Sequence, residues 1–171
     1  CYNRFVDEIK ILYKMNHPRI VRVFNYYLYP DQWTGYILME YINGSDIEQY
    51  LSSSPHSFDD LFKQAIDGFT YLESQNILHR DIRTTNILVT NQGEVKIIDF
   101  GFSKMHSEQD DIKSISLNWI ATIPNEMTGT RPIYDHSTEV YFVGCLFRYL
   151  LSFSGISSQY EGIIEKMCKY N

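Results

Sequence analysis

The pattern of apolar and polar residues predicts a helix followed by two strands at the start of the chain. Apolar residues recur at helical spacing over 4–15, and Pro18 disfavours helix at the residue before it, so the helix ends there. Two apolar runs, over 21–29 and 35–42, have strand character and are separated by turn residues. The apolar stripe of the helix consists of Val6, Ile9, Leu12 and Tyr13.

Helical spacing dominates the later part of the chain, which predicts a mainly helical second half. A short helix over 47–51 follows Asp46, whose carboxylate is a good N-terminal cap, and a long helix begins after Ser57, its predicted cap. Two further helices are predicted from Ser137 and over 160–171. The predicted apolar faces are Phe58, Leu61, Phe62, Ala65, Ile66, Phe69 and Leu72 on the long helix, and Val140, Val143, Phe147, Leu150 and Leu151 on the next.

A predicted antiparallel hairpin brings several polar residues together in the middle of the chain. Strand-like segments at 87–89 and 94–98 are joined by turn residues. Asn86 enters the first strand and Asp99 leaves the second, so we expect them side by side, with Asp81 on the loop leading in. Carboxylate and carboxamide oxygens suit Mg²⁺, which proteins usually hold with one or two carboxylates plus substrate phosphates.

The loops at the two ends of this hairpin resemble those of the eukaryotic-type protein kinase family. The segment HRDIRTTN over 79–86 matches the catalytic loop H-R-D-L-x-x-x-N, and Asp99-Phe100-Gly101 matches the family's D-F-G. The resemblance implies an α+β, protein kinase-like fold. It assigns 1–171 to a partial kinase domain, with 1–42 as a partial N-lobe (the family's helix C and strands 4 and 5) and hinge, and 43–171 as a mostly helical, truncated C-lobe.

The resemblance implies transfer of the ATP γ-phosphate to a protein hydroxyl, with ATP and Mg²⁺ as cofactors. Asp81 would act as the catalytic base, and Asn86 and Asp99 would hold Mg²⁺. Glu8 would pair with the family's ATP-binding lysine. Arg83 stands where serine/threonine kinases usually carry a lysine near the γ-phosphate. Arginine at this position is commoner in tyrosine kinases, so tyrosine specificity stays an alternative. Serine/threonine specificity is favoured only because serine/threonine kinases are the commoner class.

The resemblance also implies an ATP-binding cleft at the end of the second predicted strand, where the hinge backbone would hydrogen-bond adenine. The expected cofactor residues are the gatekeeper Met39, the hinge residues Glu40, Tyr41 and Ile42, the ribose-binding Asp46, and Leu88 and Ile98.

Other positions are expected to support or regulate this site. Leu12 and Phe100 would stack with His79 in a hydrophobic spine, and Glu139 replaces the aspartate that normally anchors the catalytic loop, which predicts altered hydrogen bonding. The serine-rich stretch 102–126 corresponds to the activation segment. Arg80 would pair with a phosphorylated serine there or merely with a nearby acid, and Glu126 matches the glutamate that ends the segment. The candidate serines are Ser107, Ser114 and Ser116.

Composition limits the remaining function classes. The 171 residues are 44% hydrophobic and 15% aromatic, which predicts a globular domain, and a net charge of −6 without a basic cluster argues against nucleic acid as the partner. No apolar run reaches transmembrane length and no signal peptide opens the chain. Scattered cysteines without C-x-x-C fit reduced thiols in an intracellular, cytoplasmic protein whose partners are ATP and a protein substrate.

Two kinase parts have no match in this sequence, namely the glycine-rich phosphate loop and the lysine on the strand before Glu8. Their absence keeps open an inert pseudokinase or binding module, and it predicts weak binding of Mg·ATP by the 171-residue chain alone. A small-molecule phosphotransferase shares the H-x-D…N pattern, but Phe100-Gly101 and the long activation segment argue against it. A plain structural domain is disfavoured by the two matching motifs.

Overall fold

The computed structural model describes residues 2–105 and 134–169. Residues 2–42 are called the first lobe, and 43–105 with 134–169 are called the second lobe. The predicted phosphorylation sites Ser107, Ser114 and Ser116 and the predicted Glu126 lie outside the described residues. Within the described residues, no helix is both long and apolar enough to cross a membrane.

The first lobe consists of one helix and a two-stranded antiparallel sheet, as predicted. Helix α1 (Tyr2–Leu12) is followed by strands β1 (Val23–Tyr29) and β2 (Thr34–Met39), joined through a 3-10 turn. The helix ends earlier than the predicted 4–15, and both strands are shorter than predicted. Ile9 and Leu12 are buried, but Tyr13 is 58% exposed and packs edge-on against Tyr26 instead of facing the core. Its place in the predicted apolar stripe was therefore wrong.

A three-stranded antiparallel sheet lies at the junction between the lobes. It has the order β3 (Gly44–Asp46), β5 (Ile87–Thr90), β6 (Val95–Ile97). The predicted hairpin supplies β5 and β6, while β3 lies between the predicted strand over 35–42 and the predicted helix over 47–51, where no strand was predicted. A Cβ at Gly44 would lie 1.9 Å from the carbonyl oxygen of Val89, so only glycine allows the backbones of β3 and β5 to approach this closely. The sheet joins the first lobe through hydrogen bonds between its Ile97 and the backbone of Arg19 and Val21.

Helices form most of the second lobe. They are α2 (Ile47–Ser53), α3 (Phe58–Ser74), α4 (His136–Ser154) and α5 (Glu161–Met167), and a short pair of strands, β4 (Ile77–Leu78) and β7 (Lys104–Met105), lies beside them. The core lies between α3, α4 and the three-stranded sheet.

Two predicted helix details were wrong. Ser57 belongs to a 3-10 turn over Pro55–Ser57, and among the described residues its side chain makes no capping hydrogen bond. Val140 on α4 is 46% exposed, although the neighbouring positions of the predicted apolar face are buried or half-buried. Helix α4 begins earlier than Ser137, because Asp135 and Thr138 form a reciprocal capping box at its N-terminus.

Candidate active site

The hairpin β5–β6 brings the two sequence motifs together. The amide N–H of Ile98 donates to the carbonyl oxygen of Asn86 at 2.9 Å, and Ile87 pairs with Ile97 across the strands. Asp99 therefore directly follows the residue that is bonded to Asn86. Asn86 and Asp99 are close together, as predicted, because the short turn between β5 and β6 fixes the register of the hairpin.

Asp81 is held in one orientation by Asn86. The Asn86 Nδ2 donates to Asp81 Oδ2 at 2.8 Å and to the backbone oxygen of Asp81 at 2.9 Å, and both residues are buried. The other carboxylate oxygen, Asp81 Oδ1, is buried and accepts no hydrogen bond from the described residues. A buried carboxylate oxygen without a donor is costly, so this atom is suited to accept a hydrogen bond from an incoming hydroxyl.

His79 connects the two motifs through the core. Its Nδ1 accepts from the amide N–H of Asp81 at 3.3 Å, so Nε2 carries the proton and donates to the Ile98 carbonyl oxygen at 3.0 Å. Burial lowers the pKa of His79, which keeps the ring neutral. The ring packs against Phe100 with centroids 4.8 Å apart, and Leu12 lies in the same buried core as Phe100.

Two residues of the motifs have left-handed backbone, a feature that the sequence did not reveal. Arg80 has φ 66° and Asp99 has φ 63°, values that non-glycine residues adopt only at a cost. At Arg80 this conformation is supported by Glu139, whose Oε1 accepts the Arg80 amide N–H at 2.8 Å. Glu139, which stands where the family has the shorter aspartate, therefore reaches the loop over 79–86.

Glu139 lies in a buried hydrogen-bond network that includes Tyr134, a residue that sequence reasoning missed. The Tyr134 hydroxyl donates to Glu139 Oε1 at 2.9 Å, and the Arg80 guanidinium lies 5.5 Å from the Tyr134 ring centroid. Burial raises the pKa of Glu139 to about 7, although hydrogen bonds from the backbone of Arg80 and His79 and from Tyr134 act in the opposite direction.

Glu8 and Asp99 face the same small space beside Gly101. A Cβ at Gly101 would lie 3.3 Å from Asp99 Oδ1 and 3.7 Å from Glu8 Oε2. Burial and, secondly, the charge of Asp99 raise the pKa of Glu8. Two carboxylates that approach in this way are stabilised by a cation between or beside them.

The available donors fit a magnesium ion whose remaining ligands come from phosphate and water. Asn86 uses its Nδ2 toward Asp81, which leaves its amide oxygen for a metal, and Asp99 is exposed with one carboxylate oxygen turned to the Gly101 amide N–H at 3.3 Å. No group of three or more histidine, cysteine or acidic side chains in 2–105 and 134–169 could hold a metal by itself. Few protein ligands and hard oxygen donors are typical of nucleotide-bound Mg²⁺.

Met39, predicted to lie beside adenine, is the last residue of β2, and the predicted hinge residues Glu40, Tyr41 and Ile42 follow it directly. The Met39 and Tyr41 side chains are exposed, Tyr41 at 89%, and their roles toward a nucleotide stay predictions. The Glu40 amide N–H donates to the Arg22 carbonyl oxygen at 2.9 Å, so this N–H is already engaged within the protein. Ile42 is half-buried.

Asp46 and Leu88 are brought together by the sheet, because they pair across β3 and β5. Asp46 caps α2 by accepting the Gln49 amide N–H at 2.9 Å, so the predicted capping role is confirmed. Leu88, Ile98 and Arg83 are half-buried, and their roles toward a nucleotide stay predictions.

An ion pair that the sequence did not indicate joins the hinge to strand β6. The Lys96 Nζ lies 2.9 and 3.0 Å from the two carboxylate oxygens of Glu40, and Glu40 Oε1 also accepts the Arg22 amide N–H at 2.8 Å. Both side chains are largely buried, so the pair fixes the hinge relative to the strand that leads to Asp99.

Comparison with known proteins gives one consistent family. The family model described as protein kinase domain matches residues 2–170. The mitogen-activated protein kinase kinase kinase 3 of Arabidopsis thaliana is 29% identical over 95% of this chain and 27% of its own length. The tyrosine-protein kinase transforming protein Fps of an avian sarcoma virus is 33% identical over 84% of this chain and 28% of its own length.

A solved structure supports the same fold. The yeast RNA Pol II CTD kinase CTDK-1 complex contains a chain that superposes with a TM-score of 0.73 at 30% identity, covering 95% of this chain and 55% of that one. The chain spans only 21% to 27% of the length of the first curated relatives that it matches.

Proposed function

Because the chain belongs to the protein kinase family, we propose that the protein transfers the γ-phosphate of Mg·ATP to a hydroxyl group of a protein substrate. The observation that carries this proposal is the carboxylate of Asp81, which is buried, oriented by Asn86, and left with Oδ1 as an open acceptor. A hydroxyl placed at this oxygen would donate its hydrogen bond and give up its proton as the new bond to phosphorus forms.

The other site residues would either hold the metal ion or support the catalytic loop. Asn86 and Asp99 would hold the Mg²⁺, which neutralises charge on the phosphates. Glu139 holds the backbone of the catalytic loop through Arg80, so it acts as a positioning residue. Because the transition state of phosphoryl transfer is loose, most of the catalysis comes from such positioning and from charge stabilisation.

Serine/threonine specificity is the favoured form of this proposal. Several of the similar proteins are named as serine/threonine kinases, whereas Fps is named as a tyrosine kinase. Arg83, half-buried at the start of a 3-10 turn, would contact the γ-phosphate in either class. A degenerate peptide library that offers serine, threonine and tyrosine acceptors at equal concentration would distinguish the two classes.

A binding module without chemistry is the second candidate, and it is favoured by one feature of the chain. In the described structure Glu8 shares a small space with Asp99, another carboxylate. By this reading the 171-residue chain alone would bind Mg·ATP weakly and transfer little phosphate.

Two substitutions at the site separate these candidates. In the protein that carries this chain, Asp99→Asn should weaken Mg²⁺-dependent ATP binding as well as turnover, because it removes charge from the metal site. Asp81→Asn should leave ATP affinity nearly unchanged and lower turnover by ~10²-fold or more, the usual scale for a positioned acid–base group. Calorimetric ATP titrations with and without Mg²⁺, beside single-turnover rates, measure both effects.

An exposed asparagine provides the matched control. Asn91 lies in the turn between β5 and β6, and Asn91→Asp should change neither ATP affinity nor rate. Phosphate transfer by Asp81→Asn at the unsubstituted rate would contradict the catalytic assignment and support the binding module.

A further inference from the structure

Two cysteines meet where helix α5 packs against helix α4. Cys145 lies on α4 and is buried, and Cys168 is the half-buried residue that ends α5. The Cys145 thiol lies close enough to the Cys168 thiol to raise the pKa of Cys168. Neither cysteine takes part in the candidate active site, so the pair requires its own explanation.

A glycine sets the distance between the two helices at this point. A Cβ at Gly144 would lie 2.5 Å from the Met167 Cβ and 3.1 Å from the Cys168 backbone nitrogen, so the two backbones are in direct contact. A disulfide spans Cα separations of about 4.4–6.8 Å, a range that only such a close approach provides. The residue after Gly144 is Cys145, which therefore stands opposite the end of α5.

The surroundings of the two cysteines limit solvent access to the thiols and place the positive charge of Arg148 beside them. The Arg148 Nη2 lies 4.0 Å from the Cys145 Sγ. Burial and the neighbouring Cys145 raise the pKa of Cys168, while Arg148 acts to lower it. The raised pKa keeps the Cys168 thiol protonated at neutral pH, and we expect its oxidation to be slow compared with that of sensor cysteines.

We propose that Cys145 and Cys168 form a reversible intramolecular disulfide that fastens α5 to α4 when the protein meets hydrogen peroxide. The Cys168 sulfur, which is the more exposed, loses its proton and attacks one peroxide oxygen; the O–O bond breaks, leaving a sulfenic acid and water. The Cys145 sulfur then attacks the Cys168 sulfur, the S–S bond forms, and a second water leaves. The two thiols lose two protons and two electrons, and the peroxide is reduced to two molecules of water.

The disulfide would close the loop of chain between α4 and α5. Such a cross-link restricts the unfolded chain, so oxidation should raise the thermal midpoint by about 5 °C or more. A small thiol such as dithiothreitol reverses the step by thiol–disulfide exchange.

A thiol count tests the proposal. The test uses the variant Cys1→Ser, because Cys1 lies outside the described residues. Of the three cysteines in the 171 residues, this variant keeps only Cys145 and Cys168. After hydrogen peroxide treatment and denaturation, this variant should take up no maleimide and weigh about 2 Da less, and dithiothreitol should restore two labelled thiols. The matched variant Cys1→Ser/Cys168→Ser should show no rise in thermal midpoint after the same treatment.

Three results would overturn the proposal. They are two maleimide-reactive thiols in the oxidised and denatured Cys1→Ser chain, separate sulfinic acids on each cysteine, or disulfides that join two chains. Because the reduced and oxidised forms of Cys1→Ser have the same sequence, their comparison decides the question even if the Cys168→Ser variant does not fold.

Discussion

Glu139 is a buried carboxyl group that supports the backbone of the catalytic loop. Its pKa is raised by burial from an ordinary 4.5 to about 7 in the folded protein. Between pH 4.5 and 7 the folded state therefore keeps the proton on Glu139, whereas the unfolded state has lost it. The free energy of unfolding should fall as pH rises through this range. Below the unfolded pKa this stabilisation is fully present, and above the folded pKa it is lost.

The variant Glu139→Gln isolates this contribution, because glutamine cannot titrate. The difference in unfolding free energy between the unsubstituted protein and Glu139→Gln, measured in urea at several pH values, should fall with rising pH by up to about 3 kcal/mol. Glu94→Gln removes a charge from an exposed turn and supplies the baseline. A difference that stays constant between pH 4.5 and 8 would contradict the buried, proton-binding role.

The sequence predicted the residue types of the site better than their backbone geometry. Asp81, Asn86 and Asp99 could be placed from motif spacing and the hairpin between them, since both depend on local turns. The left-handed φ of Arg80 and the contact between Tyr134 and Glu139 could not, because they result from packing between segments far apart in the chain. Tyr134 had no signal in the sequence beyond its position before a helix.

Strand β3 depends on a single glycine. A methyl group at Gly44 would collide with the carbonyl oxygen and carbon of Val89 and with the Cα of Thr90. All three are backbone atoms, which cannot move without disturbing the sheet. Gly44→Ala should therefore lower the free energy of unfolding by about 2 kcal/mol or more and weaken the pairing that holds Asp46 beside Leu88. Urea denaturation monitored by tryptophan fluorescence or circular dichroism measures the change.

Gly162 on helix α5 is the control for the same substitution. A Cβ there would meet no atom within 4 Å among the described residues, and alanine favours helix over glycine. Gly162→Ala should thus be neutral or stabilise the protein by up to about 1 kcal/mol. Equal effects of the two substitutions would show that the close approach of β3 and β5 does not exist in solution.

Helices and strands with a strong hydrophobic periodicity were predicted well, whereas short or exposed elements were not. The long α3 has a wide apolar face and was predicted to within its capping turn, because its burial against the core follows the sequence pattern. Strand β3 was missed since its three residues are polar or small and form a strand only by pairing with β5. The exposed Tyr13 and Val140 are apolar residues that tertiary packing leaves at the surface.

At the scale of the molecule, the first lobe leaves much apolar surface uncovered. Its two-stranded sheet carries a cluster of exposed aromatic and aliphatic side chains. They are Phe24, Tyr26, Tyr27, Tyr29, Trp33, Tyr36, Leu38 and Met39. Large exposed apolar patches and open strand edges favour association, so the 171-residue chain should self-associate at concentrations of about 10–100 μM.

Charges placed on this sheet should prevent that association. Tyr27 and Tyr36 face each other across β1 and β2 and are 51% and 65% exposed, so lysines at both positions would repel a second copy without removing core contacts. Light scattering should then show a monomer for Tyr27→Lys/Tyr36→Lys. The control Asn91→Lys/Gln92→Lys adds the same charge to an exposed turn and should associate like the unsubstituted chain. If both variants associate equally, the contact lies on another surface.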